Sequence, residues 1–287
     1  MSTVEVAAAD SALDLLELMQ SSARQLNYQG KLVYQQDSNL ATFRITHSSQ
    51  GGEESVVYLD PKTGRDVAST PEEAKSFSLS TYNKLQPQTQ KAYSFDLGAQ
   101  EWVANIECQV VVARPKDAMR YLHRYCIDPH TGMLLKYSLM DRNKAVVEQL
   151  MFTEIELTTE PTATAAESEG RVDAVALAAA PVLDAVPLEQ NNTHSWSFAK
   201  LPLGFEKIAE IQQSATRTQI IVSDGMTSVS IFADSKGEDE GLAAQSIYTS
   251  GAMNILTREV GNYMITLMGE VPESTLEAIV DGLKYTP

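Results

Sequence analysis

Residues 27–60 string three short β-forming segments together with almost nothing between them. Apolar and polar residues come close to alternating in 29–35, 40–47 and 53–60. Leu32 and Tyr34 stand against Lys31 and Val33, Phe43 and Ile45 against Arg44 and Thr46, Val57 and Leu59 against Tyr58. A period of two buries one face of an antiparallel sheet and leaves the other to water or a ligand. Asp37-Ser38-Asn39 and Gln50-Gly51-Gly52 supply the hairpin turns. No helix separates these strands, which disfavours the βαβ unit of nucleotide-binding folds. A curled sheet of this kind holds a guest more readily than it transforms one.

At 287 residues and 31.4 kDa the chain exceeds one small core, and two domains are expected. Its formal charge of −16 repels nucleic acid and anionic surfaces at long range, and favours a basic partner. The acidic residues are spread along the whole chain, a pattern of solubility more than of focused steering. No apolar run approaches the roughly 18 residues of a membrane helix. The first ten residues have neither a basic start nor an apolar stretch of signal-peptide length, so the chain reads either as cytosolic or as a mature form.

The two cysteines bear on that choice. Residues 106–112 and 119–127 read as strands around Arg114-Pro115-Lys116-Asp117, a good turn sequence. A hairpin folding about Asp117 sets Cys108 directly opposite Cys126, where facing Cα atoms lie within disulfide reach. The competing reading is a pair of buried thiols acting as small hydrophobes. No CxxC is present to suggest redox catalysis. A disulfide would place the protein in an oxidising compartment.

Three regions follow along the chain. Ser11-Ala-Leu-Asp14 is a variant capping box opening a helix whose Ala12, Leu15, Leu16, Met19, Ala23 and Leu26 share one face. That stripe suits a core helix better than a partner-binding one. The pattern weakens over 65–100, where 71–74 reads as a helical turn, 77–80 as a short strand and 86–90 as polar loop. Regularity returns at Trp102, and after Asp128-Pro129-His130-Thr131-Gly132 two more strands are expected at 133–140 and 145–157. The first domain, 1–157, is therefore one helix and about eight to ten antiparallel strands. Residues 158–192, rich in Thr, Ala, Glu and Pro, read as an acidic linker, with a short helix conceivable at 172–180. Residues 193–287 form a small α+β domain: hairpins at 218–223/228–233 and 253–258/263–269, then a closing helix at 272–283.

No motif for chemistry emerges. The four histidines show no metal-ligand spacing, and no GxSxG, Walker or GxGxxG sequence occurs. The expectation is a non-enzyme with no catalytic residues, metal or cofactor.

Several stretches together resemble the periplasmic sigma-E regulatory proteins of the RseB/MucB family. They are Leu26-Asn-Tyr-Gln-Gly30, Val33-Tyr34, Thr42-Phe-Arg-Ile-Thr-His47, Glu107-Cys-Gln-Val-Val-Val-Ala-Arg114 and Asp128-Pro-His-Thr-Gly-Met-Leu-Leu-Lys136. At the far end Leu203-Gly-Phe205, Ser223-Asp-Gly225, Ser228-Val-Ser-Ile-Phe232, Gly251-Ala-Met-Asn-Ile255 and Met268-Gly-Glu-Val-Pro-Glu273 continue the pattern. The resemblance implies an α+β protein. Its large domain would be an unclosed antiparallel β-barrel wrapped on a helix, like the lipoprotein carriers, and a small α+β domain would follow. It implies a periplasmic protein whose signal peptide is absent from this sequence. Such a protein binds the periplasmic part of a transmembrane anti-sigma factor and protects it from proteolysis until a signal such as lipid or lipopolysaccharide intervenes. A periplasmic lipid or lipoprotein carrier is the alternative, and self-association stays open. Ligand-binding candidates are the inward residues Leu32, Tyr34, Phe43, Ile45, Val57 and Leu59, with plain core as their competing role. Partner-binding candidates lie on the C-terminal domain and in the cleft beside it, around Phe205, Asp224 and Asn254.

Overall fold

The computed structural model describes residues 11–50, 53–67, 79, 88–158, 195–236 and 245–286. The helical turn at 71–74, most of the strand at 77–80 and nearly all of the 158–192 linker lie outside them. The contacts among these residues divide into two compact units, both discontinuous in sequence. One takes in the described residues up to 79 together with 94–114 and 122–158. The other takes in 88–93, 115–121 and everything from 195 onward.

The first unit opens with α1, Ala12–Gln25. Ser11 caps it: the Asp14 amide donates to Ser11 Oγ at 3.2 Å, and that hydroxyl donates to the Asp14 carboxylate at 2.7 Å. Asp14 in the first turn and Arg24 in the last complement the helix dipole. Ala12, Leu15, Leu16, Met19 and Ala23 are buried, the stripe expected of a core helix. The chain leaves α1 directly into β1 (Asn27–Gln36), then β2 (Asn39–Ser48) and β3 (Glu53–Leu59). After the long connection come β4 (Tyr93–Val103), β5 (Ile106–Pro115), β6 (Leu122–Ile127), β7 (Leu134–Met140) and β8 (Val146–Thr158).

The sheet order is β3-β2-β1-β8-β7-β6-β5-β4. β3 and β4, consecutive in the chain, are its two edges, so the barrel is unclosed. Gly132 shows why the turn before β7 needs a glycine. Its φ is +75°, and a Cβ there would collide with Ser22 and Leu18 of α1. Asp128 braces the same turn, accepting from the His130 amide at 2.9 Å and the Thr131 hydroxyl at 2.6 Å.

β4 was not visible in the sequence. It is an edge strand, exposed at every residue from 96 to 100, so the alternation that betrays a half-buried strand is absent.

In the second unit a six-stranded sheet runs β10-β11-β12-β15-β14-β13: Glu206–Gln212, Arg217–Ser223, Ser228–Ser235, Tyr263–Gly269, Met253–Val260 and Ser246–Ser250 respectively. A one-turn helix, α2 (Thr89–Ala92), also belongs to this unit, and α3, Glu273–Gly282, lies on β14 and β15. Leu276, Ile279 and Val280 of α3 meet Ile220, Val222, Val229, Ile231, Leu256, Ile265 and Leu267 in one core. A short pair, β9 (Ser195–Phe198) with β16 (Leu283–Thr286), carries Trp196 and Tyr285 against Tyr263, with ring centroids 4.8–5.0 Å apart. Tilted and edge contacts of this kind add about 0.5–1.5 kcal/mol each beyond area burial. The hairpins and the closing helix of this unit agree with the sequence reading; β9, β10, β13 and β16 are additions to it.

Candidate functional site

Strand register sorts the six ligand-binding candidates. Leu32 pairs with Phe43, Gly30 with Ile45 and Tyr34 with Ala41, so Leu32, Tyr34, Phe43 and Ile45 share one face. Leu32 also faces Phe152, and Tyr34 faces Leu150. That face continues through Tyr137, Tyr125 and Val111. Val57 pairs with Arg44 and Leu59 with Thr42, which puts both on the opposite side. Tyr58 and Val56 are the β3 residues on the Phe43 side. Two adjacent valines leave the parity of β3 open in sequence, and the pairing of Ile45 with Val56 and Phe43 with Tyr58 settles it. Leu32, Phe43, Ile45 and Leu59 are buried outright, while Tyr34 and Val57 are partly covered.

One end of this face is polar. Tyr28 stacks on His47, centroids 5.1 Å apart, and donates its hydroxyl to Glu54 at 2.8 Å. Burial, and then the Glu54 carboxylate beside it, push the Tyr28 hydroxyl well above its ordinary range. His47 Nδ1 donates to the Leu26 carbonyl at 2.7 Å. Farther along, His123 is buried against Tyr125 and bonds the Tyr137 hydroxyl at 2.8 Å. Burial lowers its pKa to about 3, so this imidazole stays neutral.

The opposite face carries the Cys108–Cys126 disulfide, Cα atoms 5.4 Å apart. The bond agrees with the sequence reading, but the register behind it does not. Cys126 pairs with Val110, so Cys108 reaches it along a diagonal. The reason is that 115–121 is no tight turn: these residues belong to the second unit. Beside the disulfide Glu101 pairs with both Arg124 and Lys136.

Within the second unit the stretch 117–121 builds a buried polar node that sequence reasoning missed. The Arg120 side chain is wholly buried. Its Nε donates to Asp224 Oδ2 at 2.5 Å, one terminal nitrogen to Asp117 Oδ2 at 2.6 Å, and the other to the Leu203 carbonyl. The guanidinium carbon lies 4.8 Å from the Phe205 ring centroid and 5.7 Å from that of Tyr93. Burial by itself lowers the Arg120 pKa, but the hydrogen bond and charge of Asp224 outweigh it and raise it. Asp224 Oδ1 in turn accepts from the Met226 and Thr227 amides, both at 2.9 Å. Next in sequence, the Tyr121 hydroxyl accepts from Asn254 Nδ2 at 3.1 Å, and the Met119 carbonyl from Thr275 Oγ1 at 2.6 Å.

All three partner-binding candidates therefore touch this one stretch, Phe205 and Asp224 through Arg120 and Asn254 through Tyr121. All three are buried. In sequence Arg120 is one of two arginines in a run read as strand, and nothing local sets it apart from Arg124. Among the described residues no group of three or more His, Cys, Asp or Glu could hold a metal ion.

Known proteins place this architecture. The MucB/RseB N-terminal domain family model matches residues 11–175, and the MucB/RseB C-terminal domain model matches 190–284. The chain belongs to the MucB/RseB family. A relative in that family, the sigma-E factor regulatory protein RseB of Haemophilus influenzae, is 25% identical over 99% of this chain and 95% of its own length. The sigma factor AlgU regulatory protein MucB of Pseudomonas aeruginosa is 24% identical over 96% of this chain and 92% of its own. These MucB/RseB relatives are named as regulatory proteins, in agreement with the expectation of a non-enzyme. Two solved structures share the fold. MucB in complex with MucA(peri) matches at a TM-score of 0.70 and 20% identity, covering 95% of this chain and 98% of that one. The Pseudomonas aeruginosa MucA/MucB complex matches at 0.71 and 22%, with the same coverage.

Proposed function

We propose that this protein is a periplasmic sigma-factor regulator that binds the periplasmic part of a transmembrane anti-sigma factor and shields it from proteolysis. The observation that carries this reading is the match to both MucB/RseB domains, in order and over nearly the whole chain. The likeness to a MucB crystallised with MucA(peri) supports it. The disulfide suits an oxidising compartment such as the periplasm. In this reading Phe205, Asp224 and Asn254 serve the partner indirectly, by holding 117–121 in one conformation. A buried, fully hydrogen-bonded ion pair is well suited to that, because alternatives would strand a charge.

Relief of binding by lipid or lipopolysaccharide belongs to the same proposal. The face bearing Leu32, Phe43 and Ile45 is closed over in this structure, so an acyl chain would enter only by displacing what covers it. The test is limited proteolysis of a purified cognate anti-sigma periplasmic segment. Adding this protein should slow its cleavage several-fold, and lipopolysaccharide should restore it. Cleavage at the same rate with and without the protein would refute the shielding role. Protection indifferent to lipopolysaccharide and phospholipid vesicles would remove the lipid arm alone.

A further inference from the structure

The face that bears Leu32, Phe43 and Ile45 carries a group whose hydrogen bonding is incomplete. His47 is wholly buried, and its Nδ1 is spent on the Leu26 carbonyl. With the hydrogen on Nδ1, a neutral imidazole offers Nε2 as an acceptor. That Nε2 is buried and has no hydrogen-bond partner among the described residues. Buried polar atoms are nearly always paired, so an orphaned acceptor marks a place where a donor belongs.

Directly across the β2–β3 ladder from His47 stands Glu54. Facing residues of an antiparallel pair bring their Cβ atoms about 4.5–5.5 Å apart. A carboxylate and an imidazole nitrogen, both acceptors, are thus set side by side at the polar end of a largely apolar face. Beyond Glu54, on the same side of β3, come Val56 and Tyr58. Both are only partly covered, whereas Ile45 and Phe43 beside them are buried. From Glu54 to Tyr58 the strand makes a track of roughly 13 Å. Glu54 already shows what it takes. Its two carboxylate oxygens accept from the Leu79 amide, each at 3.2 Å, and Oε2 also accepts from the Tyr28 hydroxyl at 2.8 Å. Leu79 is itself buried, so it brings to Glu54 an N–H donor joined to an aliphatic side chain.

We propose that the Glu54–His47 end of this face is a binding site for a lipid whose head carries a hydrogen-bond donor, an ammonium group above all, and that Leu79 holds the site until the lipid arrives. The head donates to Glu54 and to His47 Nε2, the Leu79 amide gives up its place on Glu54, and the acyl chain runs along Val56 and Tyr58. A carboxylate favours a cationic donor over a neutral one, and the chain's net charge of −16 favours it further. A head without a donor at this point would leave His47 orphaned and Glu54 stripped of the Leu79 amide. The inference rests on the lipid arm of the reading above and names the head-group chemistry that the site takes.

Two lysolipids with the same acyl chain test it. Lysophosphatidylethanolamine and lysophosphatidylcholine share the phosphate as well, and only the first has N–H donors on its head. Titrated as monomers into the intact protein, the ethanolamine lipid should bind at least tenfold more tightly. Glu54→Gln should bring the two affinities within threefold of each other. Residue-resolved hydrogen exchange on the parent protein should show the Leu79 amide speeding tenfold or more at saturation with the ethanolamine lipid, a readout that stands even if the variant fails to fold. Three results overturn the site and leave the lipid arm standing: equal affinity for the two lysolipids, a Leu79 amide as slow in the complex as in the free protein, or binding of lipopolysaccharide but of neither lysolipid. No binding of either lysolipid or of lipopolysaccharide overturns both.

Discussion

The two units hold themselves together by opposite means. The first is built from strands that mostly pair with sequence neighbours, and its covalent cross-link joins Cys108 and Cys126, 18 positions apart. The second closes around Arg120 and Asp224, which are 104 positions apart and wholly buried. In the chain-entropy account a disulfide acts chiefly on the unfolded chain. A buried ion pair acts only in the folded state and fails if either partner is lost. Damage should therefore stay within the unit where it is made, and the second unit should be the more brittle.

The largest effect expected is on the ionic node. Arg120→Met leaves Asp224 buried and unpaired, which should cost the second unit about 3–5 kcal/mol. Calorimetry should show its transition falling while that of the first unit holds. A loss below about 1 kcal/mol would mean the node is dispensable. Replacing both cysteines, Cys108→Ala/Cys126→Ala, should cost the first unit about 3 kcal/mol by the loop-closure estimate. Loss of the second transition in that variant would break the comparison.

How far these features could be read from sequence follows the same division. Alternation placed Leu32, Tyr34, Phe43 and Ile45 on one face, because β1 and β2 are half-buried strands joined by a short turn. Val57 and Leu59 went astray because Val56 and Val57 are both apolar and the register decides between them. β4 was invisible because neither of its faces is covered along 96–100. The disulfide was legible as a pair of strands around a turn sequence. The same turn hid 117–121, whose partners Leu203, Asp224, Asn254 and Thr275 lie far along the chain where no local pattern points to them.

An effect that builds up only on acidification sharpens the comparison through pH. The folded pKa of His123 is depressed to about 3 from an ordinary 6.5. The unfolded chain thus binds the extra proton first as pH falls. Stability is fully present above pH 6.5 and is lost from there down toward pH 3, at about 1.4 kcal/mol per pH unit. The loss should appear in the first unit's transition, and His123→Gln should flatten it; a slope unchanged in that variant would locate the titration elsewhere. The smallest effect is expected at Leu40, 68% exposed in the β1–β2 hairpin, where Leu40→Ser should stay within about 0.5 kcal/mol of the parent in chemical denaturation.

The central claim is that this chain grips an anti-sigma factor, and direct calorimetric titration of the purified protein with the cognate periplasmic segment reaches it in one step. A saturable complex with Kd of about 1 μM or tighter, equivalent to about −8 kcal/mol, is the predicted result. Absence of any saturable heat up to about 1 mM segment, where even −4 kcal/mol would register, contradicts it.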